Sequence, residues 1–246
     1  MMLSRILLVF LLCMAAPLAV AAEKPVVVAY DASWPPMEFL DASGTLTGYT
    51  VDYIAAVAAE AGFSLENKEL PWSSIFASLA DGLCDVVASS VTITPERSKV
   101  MDFSLPYMTI RQAVLTLEDD GFSSVTDLGD KILGGQESTT GFFAARRIAG
   151  AQVKSFPTLE GAVAELARGD LDAVICDDPV ALFFANKDPE FAPRIKVAFL
   201  LEGDEEHFAF AVRKGDAATL DLLNRGIEAA RAKGLEKELR EKWLGE

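Results

Sequence analysis

The chain has 246 residues, a formal net charge of −15 and apolar side chains at 51% of its positions. Such an acidic balance is a poor match for nucleic acid or anionic lipid, whose phosphates favour basic surfaces. With one histidine, three cysteines and no Cys pair at ligand spacing, neither a metal site nor another cofactor is expected.

The amino terminus reads as a targeting segment. Arg5 precedes an apolar run over 6–16, and Ala19-Val20-Ala21-Ala22 offers small residues for cleavage, the three-part pattern of a secretory signal peptide. The run is shorter than the roughly 20 residues a spanning helix needs. Residues 1–22 are therefore expected to be removed, Cys13 with them, leaving a soluble, exported chain with Cys84 and Cys176. An oxidising compartment permits a disulfide. The two cysteines nonetheless occupy equivalent places in different sheets, so free, buried thiols are expected.

Beyond the leader, strands and helices alternate. Residues 25–30 form a short buried strand, and Asp31-Ala32-Ser33-Trp34-Pro35-Pro36 reads as a loop, because prolines cannot continue a ladder. Apolar residues at helical spacing cover 51–61 and stop at Gly62. A strand over 63–70, a helix over 72–80 and a strand over 84–88 follow. The second half repeats this rhythm with strands at 131–133, 151–156 and 172–176. Helices fall at 140–148, 159–167 and 179–186, the last opened by Pro179 at a favoured position. A strand over 207–212 and helices over 217–233 and 235–243, split by Gly234, complete the chain. The alternation predicts mainly parallel sheets covered by helices.

Two segments repeat in register. Leu79-Ala80-Asp81-Gly82-Leu83-Cys84-Asp85-Val86-Val87 empties into Ser89-Ser90, and Leu166-Ala167-Arg168-Gly169-Asp170-Leu171-Asp172-Ala173-Val174 empties into Asp177-Asp178. Each copy is a helix end, a glycine stop and a buried strand. Ligands sit at the carboxyl ends of strands in open α/β sheets, so the repeat predicts two similar lobes with a ligand between them. The densest polar stretch runs over 89–99. Within it, Thr94-Pro95-Glu96-Arg97 reads as an N-cap with proline at N1. A helix start would offer N–H groups to an anion, and Arg97 a planar fork for a carboxylate; an ordinary surface ion pair is the competing reading for Arg97.

Five motifs in order carry a resemblance. They are Gly48-Tyr49-Thr50-Val51-Asp52; the unit from Trp72 to Asp85; Thr92-Ile93-Thr94-Pro95-Glu96-Arg97 with Met101-Asp102-Phe103-Ser104-Leu105-Pro106-Tyr107; Leu171-Asp172-Ala173-Val174 before Asp177; and the segment from Gly234 to Trp243. Together they resemble the type 3 extracellular solute-binding family, the periplasmic amino-acid-binding proteins of ATP-driven (ABC) importers.

The resemblance implies a two-lobed α/β fold of the type II periplasmic-binding-protein kind. Lobe one would be 23–109 plus 207–246 and lobe two 110–206, with hinges near 107–111 and 203–208. It implies that Arg97, helped by the Thr92 hydroxyl and by main-chain N–H groups near Thr92, Thr139 and Thr140, binds an α-carboxylate. Asp177, with the Ser90 carbonyl beside it, would take the α-ammonium. Trp34 and Trp72 would sandwich the ligand side chain, Asp31 would read its far end, and Gln136 and Cys176 would line the pocket; Glu38 is not expected to touch the ligand. The partners implied are an amino acid and a membrane permease, with the mature chain a periplasmic monomer. One departure is Ser138, where the family commonly has glycine; it is expected to alter that loop. A dehydratase-like enzyme on the same scaffold, resembling cyclohexadienyl dehydratases, is the alternative; such an enzyme is not expected to keep Asp177. A third reading is a partner that presents ligand to a chemoreceptor or sensor kinase.

Overall fold

The computed structural model describes residues 24–203 and 205–245; the signal-peptide reading of 1–22 lies outside the described residues. Strand β1 (Val26–Tyr30) leads through β2 (Ser33–Trp34), β3 (Glu38–Leu40) and β4 (Leu46–Thr47) into α1 (Tyr49–Ala61). Next come β5 (Leu65–Glu69), α2 (Trp72–Ala80), β6 (Val86–Thr92), β7 (Met101–Phe103) and β8 (Met108–Ile110). The second unit holds β9 (Gln112–Leu117), β10 (Ile132–Gln136), α3 (Thr140–Ala145), β11 (Gln152–Phe156), α4 (Leu159–Arg168), β12 (Ala173–Asp177), α5 (Asp178–Asn186) and β13 (Ile195–Leu200). Strand β14 (Glu206–Arg213) and helices α6 (Ala217–Ala232) and α7 (Leu235–Trp243) finish the chain.

Local chemistry explains the helix limits. Helix α1 ends where Gly62 adopts φ 78°, and α4 runs from a Thr158 cap, whose side chain accepts from the Gly161 N–H, to Gly169 at φ 83°. Asp216 caps α6 by accepting from the Thr219 N–H, and Gly234 at φ 74° separates it from α7. Glycine enters this left-handed region at little cost and closes helices there.

There are two main sheets. One has the order β5-β1-β6-β14-β7, with β8 also paired to β14; the other has the order β11-β10-β12-β9-β13. The βαβ half of each sheet is parallel as expected: β1 with β5 and β6, and β10 with β11 and β12. The other half is antiparallel, with β14 against β6, β7 and β8, and β9 against β12 and β13. Strands β9 and β14 are the first to enter after each crossing between sheets, without a crossover helix, so they run against their neighbours. The repeated motif supplies β6 and β12, each buried along its whole length, as strands covered on both faces must be.

The crossings are short. The chain leaves β8 at Ile110 and enters β9 at Gln112, and it returns between Leu200 and Glu206. The Asp178 N–H donates to the Arg111 carbonyl at 2.9 Å, and the Arg111 N–H donates to Asp178 Oδ1 at 3.0 Å. These bonds tie the first crossing to the start of α5.

Two local expectations change. Residues 31–36 are not all loop: Ser33–Trp34 pairs with β3 around the Pro35-Pro36 turn. The helix expected from Pro95 is only a 3-10 turn, Arg97–Lys99. The Thr94 hydroxyl does accept the Arg97 N–H at 3.1 Å, but the chain then extends into β7, which pairs with β14. No long helix start is available there for an anion.

Candidate functional site

The carboxyl ends of β6 and β12 open onto one cavity between the lobes. Asp31, Trp34, Trp72, Ser90, Thr92 and Arg97 line it from the first lobe, and Gln136, Thr139, Thr140 and Asp177 from the second. The structure thus brings together ten of the eleven residues that the resemblance placed at the pocket. It adds Glu38 and Ser89 to the wall. Cys176 is not in that wall; it packs with Ala113 and Val174 in the core, because its side chain faces the interior of the sheet.

Arg97 is held by main-chain carbonyls. Its Nη1 donates to the Thr92 carbonyl at 2.9 Å and its Nη2 to the Ser138 carbonyl at 3.1 Å. The guanidinium also lies 5.4 Å from the Trp72 ring centroid and 5.3 Å from that of Phe76, within cation–π range. Among the described residues it has no ion pair, so the surface-pair reading fails. Burial pushes its pKa down to about 10, and it remains a cation at neutral pH.

Ser138 explains how the loop survives without glycine. Its φ is 62°, the left-handed conformation a glycine would take, and this aims its carbonyl at Arg97. Thr139 is occupied locally: its hydroxyl donates to the Gln136 carbonyl at 2.7 Å and accepts the Phe142 N–H at 3.2 Å, capping α3. The Thr92 and Thr140 hydroxyl oxygens lie 3.4 Å apart across the cleft.

Asp177 is 5% exposed, yet no cation pairs with it among the described residues. Gln112 Nε2 donates to its Oδ1 at 2.7 Å, and also to Glu206 Oε2 and Thr140 Oγ1, both at 3.1 Å. Burial, helped by Glu206 and Asp178, pushes the Asp177 pKa up to about 7 against the opposing Gln112 bond and Arg97. Gln112 was not singled out from the sequence. Its only signal is a polar side chain opening an apolar strand.

A second acidic group lies beside the tryptophans. Asp31 accepts from the Ser33 hydroxyl at 2.9 Å and from Gln136 Nε2 at 3.2 Å. Glu38 is fully buried, and its Oε2 accepts from the Ser90 hydroxyl at 2.9 Å. Ser90 itself has φ 45°, a costly conformation for a serine. Burial raises the pKa of both acids, and each also feels a neighbouring carboxylate. Glu38 Oε1 and the Trp34 indole Nε1 are buried with no hydrogen-bond partner.

The lobes also touch directly, through Trp72 Nε1 donating to the Glu137 carbonyl at 3.1 Å, in addition to the Gln136–Asp31 and Arg97–Ser138 bonds. This is a closed arrangement.

Residues 26–246 match the model of the bacterial extracellular solute-binding proteins, family 3. The chain belongs to that family. A probable histidine-binding protein of Neisseria gonorrhoeae is 36% identical over 211 residues, 84% of this chain and 78% of its own length. A probable amino-acid ABC transporter-binding protein of Haemophilus influenzae is 30% identical, covering 92% of this chain and 87% of its own. Among solved structures, an ancestral arginine-binding protein bound to arginine superposes with a TM-score of 0.84 at 32% identity, covering 91% of this chain and 99% of that one.

Proposed function

We propose that this family 3 protein captures an amino acid between its lobes and delivers it to the permease of an ATP-driven importer. One observation carries the reading: among the described residues, a half-buried guanidinium without a carboxylate and a buried carboxylate without a cation face one cavity from opposite lobes. Leaving two such groups uncompensated is costly. A zwitterion compensates both, its carboxylate on Arg97 and its ammonium on Asp177, and so favours closure. Lobes over 23–109 plus 207–246 and over 110–206 rock about the two crossings. The protein works in the periplasm as a monomer and catalyses no reaction.

The test is a thermal-shift screen of the refolded, ligand-free chain against the amino acids and prephenate. A ligand that binds only the native state stabilises by about 2.7 kcal/mol at a hundredfold excess over Kd. The expected result is a shift with one amino acid or a related set, lost in Arg97→Ala and Asp177→Ala. A shift with prephenate alone, followed by its turnover, overturns the reading in favour of an enzyme.

A further inference from the structure

We propose that Gln112 is a positioning residue for ligand capture: its amide holds the Asp177 carboxyl group aimed into the cavity, ready for an incoming ammonium. This rests on the amino-acid reading above and deepens it.

The two residues are cross-strand partners. Gln112 opens β9 and Asp177 closes β12, directly opposite each other in an antiparallel pair, which sets their side chains on one face. Both belong to the same sheet, so their contact does not depend on closure of the lobes. Buried Gln112 donates from Nε2 to Asp177 Oδ1 at 2.7 Å, and to Thr140 Oγ1 and Glu206 Oε2 at 3.1 Å. An amide nitrogen has two protons for these three acceptors. The other end of the amide fares worse: Oε1 is buried with no partner. Buried polar atoms are almost always partnered, so this orientation has a cause. Turned over, the amide would set its oxygen against two carboxylates and leave Asp177 with no donor among the described residues. The backbone fixes the pair in place. The Gln112 carbonyl accepts the Leu201 N–H at 2.8 Å, and the neighbouring Arg111 and Asp178 exchange two hydrogen bonds. Asp177 therefore has one neutral donor to keep it ionised. Glu206, Asp178 and Glu38 press it toward the neutral acid, and Arg97 from the other lobe favours the ion. A protonated Asp177 would offer an ammonium no charge.

The experiment is titration calorimetry of the refolded, ligand-free chain against each of the twenty protein amino acids and L-cystine. The tightest binder among them is then measured at pH 6 and pH 8.5 on the parent and on Gln112→Met. Methionine keeps the length and burial of the side chain and removes its donors. Loss of the donor makes Asp177 harder to ionise, so the affinity deficit of the variant must grow as pH falls. The expected result is a deficit of at least tenfold at pH 6, and at least threefold larger there than at pH 8.5. If Gln112→Met does not fold, Gln112→Asn takes its place; it keeps an amide but draws the donor back by one methylene, and its deficit should be at least twofold larger at pH 6. A deficit of equal size at both pH values would make Gln112 a structural prop and overturn the inference, although the amino-acid reading would then stand. Unchanged affinity would overturn it in the same way. Binding of none of these amino acids would overturn both.

Discussion

Asp177 should be a residue that costs the empty protein stability. Burial, helped by Glu206 and Asp178 and opposed by the Gln112 bond and Arg97, pushes its ordinary pKa of 3.8 up to about 7. At about 1.36 kcal/mol per unit, holding this carboxylate ionised in the closed, empty protein costs on the order of 4 kcal/mol, an upper limit for a chain that opens without ligand. The sign follows from proton binding. Below the unfolded value of about 4, both states are protonated and the cost is absent. As pH rises toward 7 the folded state binds more protons than the unfolded one, so stability falls. Above 7 the full cost remains. Asp177→Asn removes the charge but keeps an oxygen to accept from Gln112 Nε2. Urea unfolding of the ligand-free proteins should therefore find the variant more stable at pH 8, by up to about 4 kcal/mol, and little different near pH 4. Calorimetry at pH 8 should show amino-acid affinity reduced at least a hundredfold, about 3 kcal/mol. A variant less stable than the parent at pH 8, or an advantage that does not shrink with falling pH, would refute the reasoning.

Gly141 lies where α3 approaches β12, and an added Cβ would sit 2.6 Å from the Ile175 carbonyl oxygen and 2.9 Å from Gln112 Oε1. Gly141→Ala should cost roughly 2–3 kcal/mol in urea unfolding and weaken amino-acid binding more than tenfold by shifting Thr140 and Gln112. Ser138→Gly relieves a left-handed serine while adding unfolded-state entropy, so stability should stay level or rise by up to about 1 kcal/mol. Affinity should change less than twofold, because the Ser138 carbonyl rather than its side chain meets Arg97. Cys84 and Cys176 are free and buried, and burial raises both thiol pKa values, that of Cys84 to about 11. A chain lacking residues 1–22 should react slowly with an aromatic disulfide reagent when native and release two thiol equivalents in denaturant without reductant.

What could be read before folding, and what could not, divides along physical lines. The paired Leu-Ala-x-Gly segments placed β6 and β12 because a helix stop followed by an apolar run constrains the chain locally. The strand pairs β2–β3 and β3–β4 were not legible: elements of two or three residues show no period, and only their partners define them. At Thr94 the capping chemistry was read correctly, and tertiary pairing overrode the helix beyond it, since 101–103 bury better as an edge strand on β14. Ser138 went the other way. The sequence argued for an altered loop, but a serine can be held at φ 62° when its carbonyl gains a guanidinium partner.

The site divides similarly. Arg97 stood out in the densest polar stretch, after a Thr-Pro-Glu cap, and Asp177 at the end of an apolar strand; the resemblance supplied their roles. Glu38 and Gln112 did not stand out, because each is one polar residue in a short strand, and their importance comes from what the rest of the fold fails to supply. Among the described residues Arg97 receives carbonyls and aromatic rings, Asp177 an amide, and Glu38 hydroxyls, none of them an opposite charge. A chain with many exposed lysines and arginines could have placed one at each acid. Their exclusion leaves a cavity whose electrostatics are balanced only when a ligand of complementary charge is inside it. Affinity and closure then have one physical origin, and a substitution that balances the empty site, such as Asp177→Asn, stabilises the fold by removing the reason to bind.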